Sequence, residues 1–128
     1  MFSEMKIDGK RLVNLTPHEI VIRLETGDVR IPASGQVARC SSRSEIQPPV
    51  RVDYHTIPVT KNVIGDVEGM PEPQDGVIYL VSTMVGQKLA GTRHDVYAPD
   101  TSPASAIRDG DGKVVAVKGL QAFQGVIL

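Results

Sequence analysis

Apolar and polar residues alternate with a period of two along much of this chain, which predicts strands rather than helices. Residues 12–15 read as a first strand, and Ile20, Ile22 and Leu24 alternate with Val21 and Arg23 in a second. Thr16, Pro17 and His18 form the corner between them. Residues 25–28 and 33–35 are turns rich in Gly, Asp and Ser, so 29–32 and 37–40 complete a meander. The polar stretch 41–49 has no apolar period and is expected to be a loop. Beyond it Val50, Val52 and Tyr54 alternate with Arg51, Asp53 and His55, and Ile57, Val59 and 63–68 continue a one-sided, solvent-facing pattern.

Pro71 and Pro73 make 69–76 a rigid connection, because proline forbids helix and cannot join a central ladder. Residues 77–81 (VIYLV) are then apolar at five consecutive positions, as expected of a central strand buried on both faces, with Ile78, Leu80 and Val81 nearly inaccessible. Ser82 or Thr83 caps one short helix carrying Met84, Val85, Lys88 and Leu89 at helical spacing, and Gly91 ends it. Residues 93–98 read as a strand and 99–103 as a polar turn. Residues 104–108 face 114–118 across Asp109-Gly110-Asp111-Gly112, a hairpin signal. The pattern predicts a mostly β fold, a single small barrel or sandwich of short antiparallel strands with one short helix. Residues 1–10 are expected to be a flexible N-terminus and 11–128 a single β-rich domain. The apolar end of the chain, from Gly119 to Leu128, is expected to pack on its own sheet or on a neighbouring copy, making a homo-oligomer.

Composition supports this picture and removes several functions. The 17 Val and 10 Ile against 7 Leu favour strands. A net charge of -1 lacks the basic excess of a duplex-coating protein. No apolar run approaches the roughly 18 residues of a membrane span. A lone cysteine, Cys40, and an N-terminus without an apolar signal core point to a reducing cytoplasm. GxGxxG, Walker, HExxH and GxSxG signatures are missing, and no cofactor is implied. Asp109 and Asp111 suggest calcium, but an EF-hand loop begun at Asp109 would end on Leu120, so the segment reads as a turn. His18, His55, His94 and Cys40 have no metal-ligand spacing. His18, beside Pro17, reads as a structural group bonding a turn carbonyl.

The densest polar cluster runs over residues 93–108. Arg93 and Arg108 are suited to hold a phosphate or carboxylate bidentately, and Thr101, Ser102 and Ser105 supply small hydroxyl donors. Asp95 and Asp100 can accept from ribose or base, Tyr97 offers a stacking face, and His94 lies between Arg93 and Asp95. Two readings stand side by side. In one, these residues bind a small phosphorylated ligand; in the other, the arginines pair with Asp95 and Asp100 and the hydroxyls bond their own turn.

The blocks VNLTPHEIVI, IPASGQVARC, GDVEGMPEPQDGVIYLVS and RHDVYAPDTSPASAIRDGDGKVVAVKGLQAF together resemble a family of small phage and prophage proteins. That family carries LTPH near its start, a GLPEPQ-like turn before an apolar strand, and a DVVAPDTGPTAIRD-like segment near its end. The match spans residues 12–123. Ser102 stands where the pattern often has Gly, and Ser105 is an added residue before the Ala-Ile-Arg ending. The family brings no catalytic residue. Small phage proteins of this kind include sponges that sequester cyclic nucleotide or cyclic ADP-ribose immune signals, and by analogy the expectation is an anti-defence protein binding such a signal without cleaving it in the infected host's cytoplasm. The alternative is a non-catalytic interaction protein, either a minor virion component or an inhibitor docking a host protein. A hydrolase using Asp95 or Asp100 with His94 comes third.

Overall fold

The computed structural model describes residues 4–7 and 10–123. Its strands in chain order are β1 (Glu4–Ile7), β2 (Lys10–Asn14), β3 (Ile20–Leu24), β4 (Gly27–Ile31), β5 (Arg39–Val52), β6 (His55–Glu68) and β7 (Val77–Leu80). One helix, α1 (Thr83–Leu89), precedes β8 (Val96–Pro99), β9 (Ile107–Arg108), β10 (Val114–Ala116) and β11 (Leu120–Ala122). The fold is mostly β with one short helix, layered like a sandwich and not closed into a barrel. The C-terminal tail beyond Phe123, expected to be covered, lies outside the described residues.

The central sheet has the order β1-β2-β7-β8-β11. Its outer pairs are antiparallel, but β2 with β7 and β7 with β8 run parallel, which corrects the expected all-antiparallel arrangement. Parallel neighbours need a crossover, and α1 lies within the one joining β7 to β8. Ser82 caps α1 by accepting from the Val85 N–H at 3.3 Å. β1 carries the sheet into the N-terminal ten residues that were expected to be flexible.

Successive strand residues face opposite sides, so the central sheet has two cores. On one side Leu15, Val77, Tyr79, Val81 and Val96 pack with Val85 of α1 and with Cys40 and Val67 at the base of β5 and β6. On the other, Leu12 and Leu80 pack against Ile20, Ile22 and Ile31 of the β3–β4 hairpin and against Val117. The expectation that 77–81 is the centre holds: Leu80 and Val81 are wholly inaccessible. Ile78, on the same face as Leu80, is only half-buried, because it lines an open groove with Leu24, Val29 and Leu120.

A buried amide fixes the turn between the layers. Asn14, fully inaccessible, donates through Nδ2 to the carbonyls of His18 (2.8 Å) and Ile31 (3.0 Å). Its Oδ1 accepts from the Thr16 N–H (2.9 Å) and hydroxyl (2.7 Å). Among the described residues every buried side-chain nitrogen and oxygen has a partner, so this network is complete.

The 41–49 stretch corrects the sequence reading most clearly. It is not a loop but the middle of β5, which pairs with β6 as two 14-residue strands. The predicted strand at 93–98 begins only at Val96, and the predicted hairpin is present in shorter form as β9 with β10.

Leu80→Ala should cost about 2–5 kcal/mol in urea unfolding, and Ile78→Ala clearly less. Asn14→Ala should cost about 2–3 kcal/mol, since it removes the amide donor to the buried Ile31 carbonyl and the acceptor of the Thr16 N–H. Equal losses at Leu80 and Ile78 would contradict the difference in their burial.

Candidate functional site

The eight residues read as a ligand cluster do not converge. Arg93, His94 and Asp95 lie just before the first residue of β8, whereas Asp100, Thr101 and Ser102 follow its last. Four extended residues separate the groups by roughly 13 Å, at opposite ends of the parallel strands.

At the amino end, the structural reading of Arg93 is the one realised. Its Nε and Nη2 donate to the two Asp95 oxygens at 2.9 and 2.8 Å, and Nη1 donates to the Pro71 carbonyl at 3.0 Å. The guanidinium also sits 5.8 Å from the centre of the Tyr79 ring, whose hydroxyl donates to the Glu72 carbonyl at 3.2 Å. Arg93 therefore fastens the proline-rich 69–76 connection to the sheet. Its hydrogen bonds hold the Asp95 carboxyl below the usual carboxylate range, and the carboxylate in turn raises Arg93. His94 is exposed beside this pair, on the rim of a shallow cavity shared with Lys10 and Gln74.

The remaining members are also engaged. Tyr97 packs among Leu12, Ile22 and Leu80 rather than offering a free stacking face. Asp100 Oδ1 accepts from the Ser102 N–H at 3.0 Å, a local turn, and the Ser102 carbonyl accepts from the N–H groups of Ser105 and Ala106. Arg108 donates to the Gly112 carbonyl at 2.7 Å, closing its own hairpin, which replaces the pairing with Asp100 considered from the sequence. The turn reading of Asp109 holds, its carboxylate accepting from the N–H groups of Asp111 and Lys113. Among the described residues no group of three His, Cys, Asp or Glu is placed to hold a metal.

Sequence reasoning missed two features. The first is a crevice of about 350 Å³ at the carboxyl ends of β2, β7 and β8, where open sheets commonly bind ligands. Thr16, His18, Glu19, Ser82, Thr83 and Thr101 form its polar rim over a floor of Ile20, Val21 and residues 114–117. Thr101 is the one residue of the predicted cluster that lines it. Among the described residues no Lys or Arg lines it, so the phosphate-contact role expected of Arg93 and Arg108 has no counterpart there.

The second is the β5–β6 arm. At about 3.4 Å per residue its strands run for roughly 45 Å. Its base is anchored: Cys40 and Val67 enter the α1-side core, Lys88 Nζ donates to the Ile64 carbonyl at 3.4 Å, and Gln36 Nε2 donates to the Gly69 carbonyl at 3.0 Å. Gly69 takes φ 83° and presses on the Val37 carbonyl, where a side chain has no room. Beyond the base the arm stands away from the body. Ile46 is 91% and Tyr54 98% exposed, and Val50, Val52 and Ile57 are each close to half exposed.

Comparison with family models, curated proteins and solved structures yields no match. No described helix is long and apolar enough to cross a membrane.

Because the folded pKa of Asp95 is depressed, its contribution is present above the unfolded carboxylate value of about 3.9 and lost as pH falls through the lower folded value. Asp95→Asn should cost about 1 kcal/mol at neutral pH and flatten the acid limb of the stability profile. Acid titration of both chains by near-UV circular dichroism measures this, and an unchanged acid limb would contradict the clamp.

Proposed function

We propose that this chain is a non-catalytic interaction protein of phage origin, an assembly or docking component that engages a protein surface through the β5–β6 arm. The observation that carries the reading is a hairpin of two 14-residue strands whose distal half displays apolar and aromatic side chains to solvent. An isolated two-stranded ribbon is at best marginally stable in water, and exposed apolar patches of this kind mark interaction surfaces. The single Cys40 fits action in the reducing cytoplasm of an infected host.

The hydrolase alternative loses support from the Arg93 clamp. Asp95 has both oxygens occupied and a lowered pKa, which makes it a weak base, and Asp100 is at the other end of β8 from His94.

A second reading, sequestration of a small nucleotide signal, is favoured by the crevice. Its hydroxyl rim and apolar floor suit a base and ribose better than the phosphates. The two readings separate in one experiment. A photo-cross-linker in place of Tyr54 is activated in infected cells, and small molecules released from the denatured, purified chain are analysed by mass spectrometry. The docking reading expects protein adducts at position 54 and no stoichiometric nucleotide. Release of one nucleotide per chain, without adducts, would replace it with the sponge.

A further inference from the structure

The arm has two unlike faces. Gln47 pairs with Val59, Val50 with Ile57 and Val52 with His55, and cross-strand partners share a face. Val50, Val52, Ile57 and Val59 therefore share one face with Gln47 and His55, while Ser44, Asn62, Arg51 and Thr56 belong to the other, where the exposed Ile46 pairs with Thr60. The edges are poor docking sites. Pro48 and Pro49 sit in a register shift of β5 near Pro58 of β6, and proline offers no N–H to an added strand. A partner must then meet the apolar face.

The body of the same chain carries a seat of matching chemistry. Lys10 joins Leu12, Ile22, Leu24, Ile78 and Leu120 in lining a mostly apolar groove of about 350 Å³, with Leu24 45% exposed. This groove lies on the β3–β4 side of the central sheet, whereas the base of the arm packs on the α1 side with Val77, Tyr79 and Val81. The sheet stands between the arm and its own groove. Charge agrees with an apolar seat: residues 39–68 hold four basic (Arg39, Arg43, Arg51, Lys61) and four acidic (Glu45, Asp53, Asp66, Glu68) side chains. A neutral arm neither seeks a strongly charged partner nor repels its own copy.

We infer that the occupant is a second copy of this chain, the Val50/Val52/Ile57/Val59 face of one arm seating in the Leu12/Ile22/Leu24/Ile78 groove of its neighbour. The inference rests on the arm being a docking device and names its partner. Association of this kind is insensitive to salt, unlike capture of a charged macromolecule.

Sedimentation velocity of the full chain at micromolar concentrations tests it. The wild-type chain should associate equally at low and high salt. Ile57→Asp on the arm and Leu24→Asp in the groove should each weaken association about tenfold or more while leaving the far-UV circular dichroism and melting temperature intact. Val52→Asp is a second arm variant should Ile57→Asp disturb the hairpin. Each variant keeps one intact surface, so an equimolar mixture of Ile57→Asp and Leu24→Asp should form a one-to-one complex. A monomeric wild-type chain, association that survives both substitutions, or a mixture that stays monomeric would each overturn the inference. A monomeric wild-type chain that still gives adducts from position 54 to other proteins would overturn only the second copy and keep the docking reading.

Discussion

The buried Asn14 amide is the constraint on which the arrangement depends. Fully buried, its four side-chain hydrogen bonds require the chain to turn at Thr16-Pro17-His18 and bring β4 back under β2. The same residue's carbonyl accepts from the N–H and hydroxyl of Ser34, and the neighbouring Leu15 carbonyl accepts from the Ala38 N–H. The segment 34–38 is thereby set, and with it the contact of Val37 with Gly69 that closes the base of the arm. One polar side chain in an apolar interior thus links the central sheet, the β3–β4 layer and the direction of the hairpin. Such a network resists partial loss, because the buried Asn14 amide would itself be left with unmet donors or acceptors.

Much of the fold is legible in the sequence wherever a strand has one wet face and one dry face, or two dry faces. Residues 20–24 and 77–81 show this, since their apolar pattern reports burial directly. The long hairpin is not legible because it has little core to report. Ser42, Ser44 and Arg43 are exposed, and what makes them a strand is pairing with Ile64, Asn62 and Val63 on β6. Strand direction was equally hidden. Parallel pairing of β2, β7 and β8 depends on a crossover whose helix is only seven residues long, and periodicity carries no sign of direction.

The polar cluster shows the matching limit for sites. Sixteen consecutive residues hold two arginines, two carboxylates and three Ser/Thr hydroxyls, yet a strand through their middle sends them to opposite ends of a sheet. Nearness in sequence along an extended segment is distance in space. The resolution of Arg93 also follows from its surroundings: a guanidinium with side-chain exposure of only 15% needs fixed acceptors, and Asp95 with the Pro71 carbonyl provides them. Releasing Arg93 to a ligand would leave Asp95 unpaired and loosen the 69–76 connection. Structural and ligand roles therefore compete for the same donors here, and the geometry has assigned them to structure.

The arm inverts that logic. Every tie described for it is at its base, in the Cys40 and Val67 contacts, the Lys88 bond and the Gly69 approach, and among the described residues no core cluster includes the distal face. A sequence under selection only for a stable monomer has no use for a second half of a ribbon that exposes Val50, Val52 and Ile57, because that half adds ordering cost without burial. The prolines near the bulge blunt the edges where uncontrolled pairing would begin and leave the face open. Protected edges with an available apolar face describe a surface prepared for a specific seat rather than for aggregation. A functional reading of this fold therefore has to explain the distal arm before it explains the crevice.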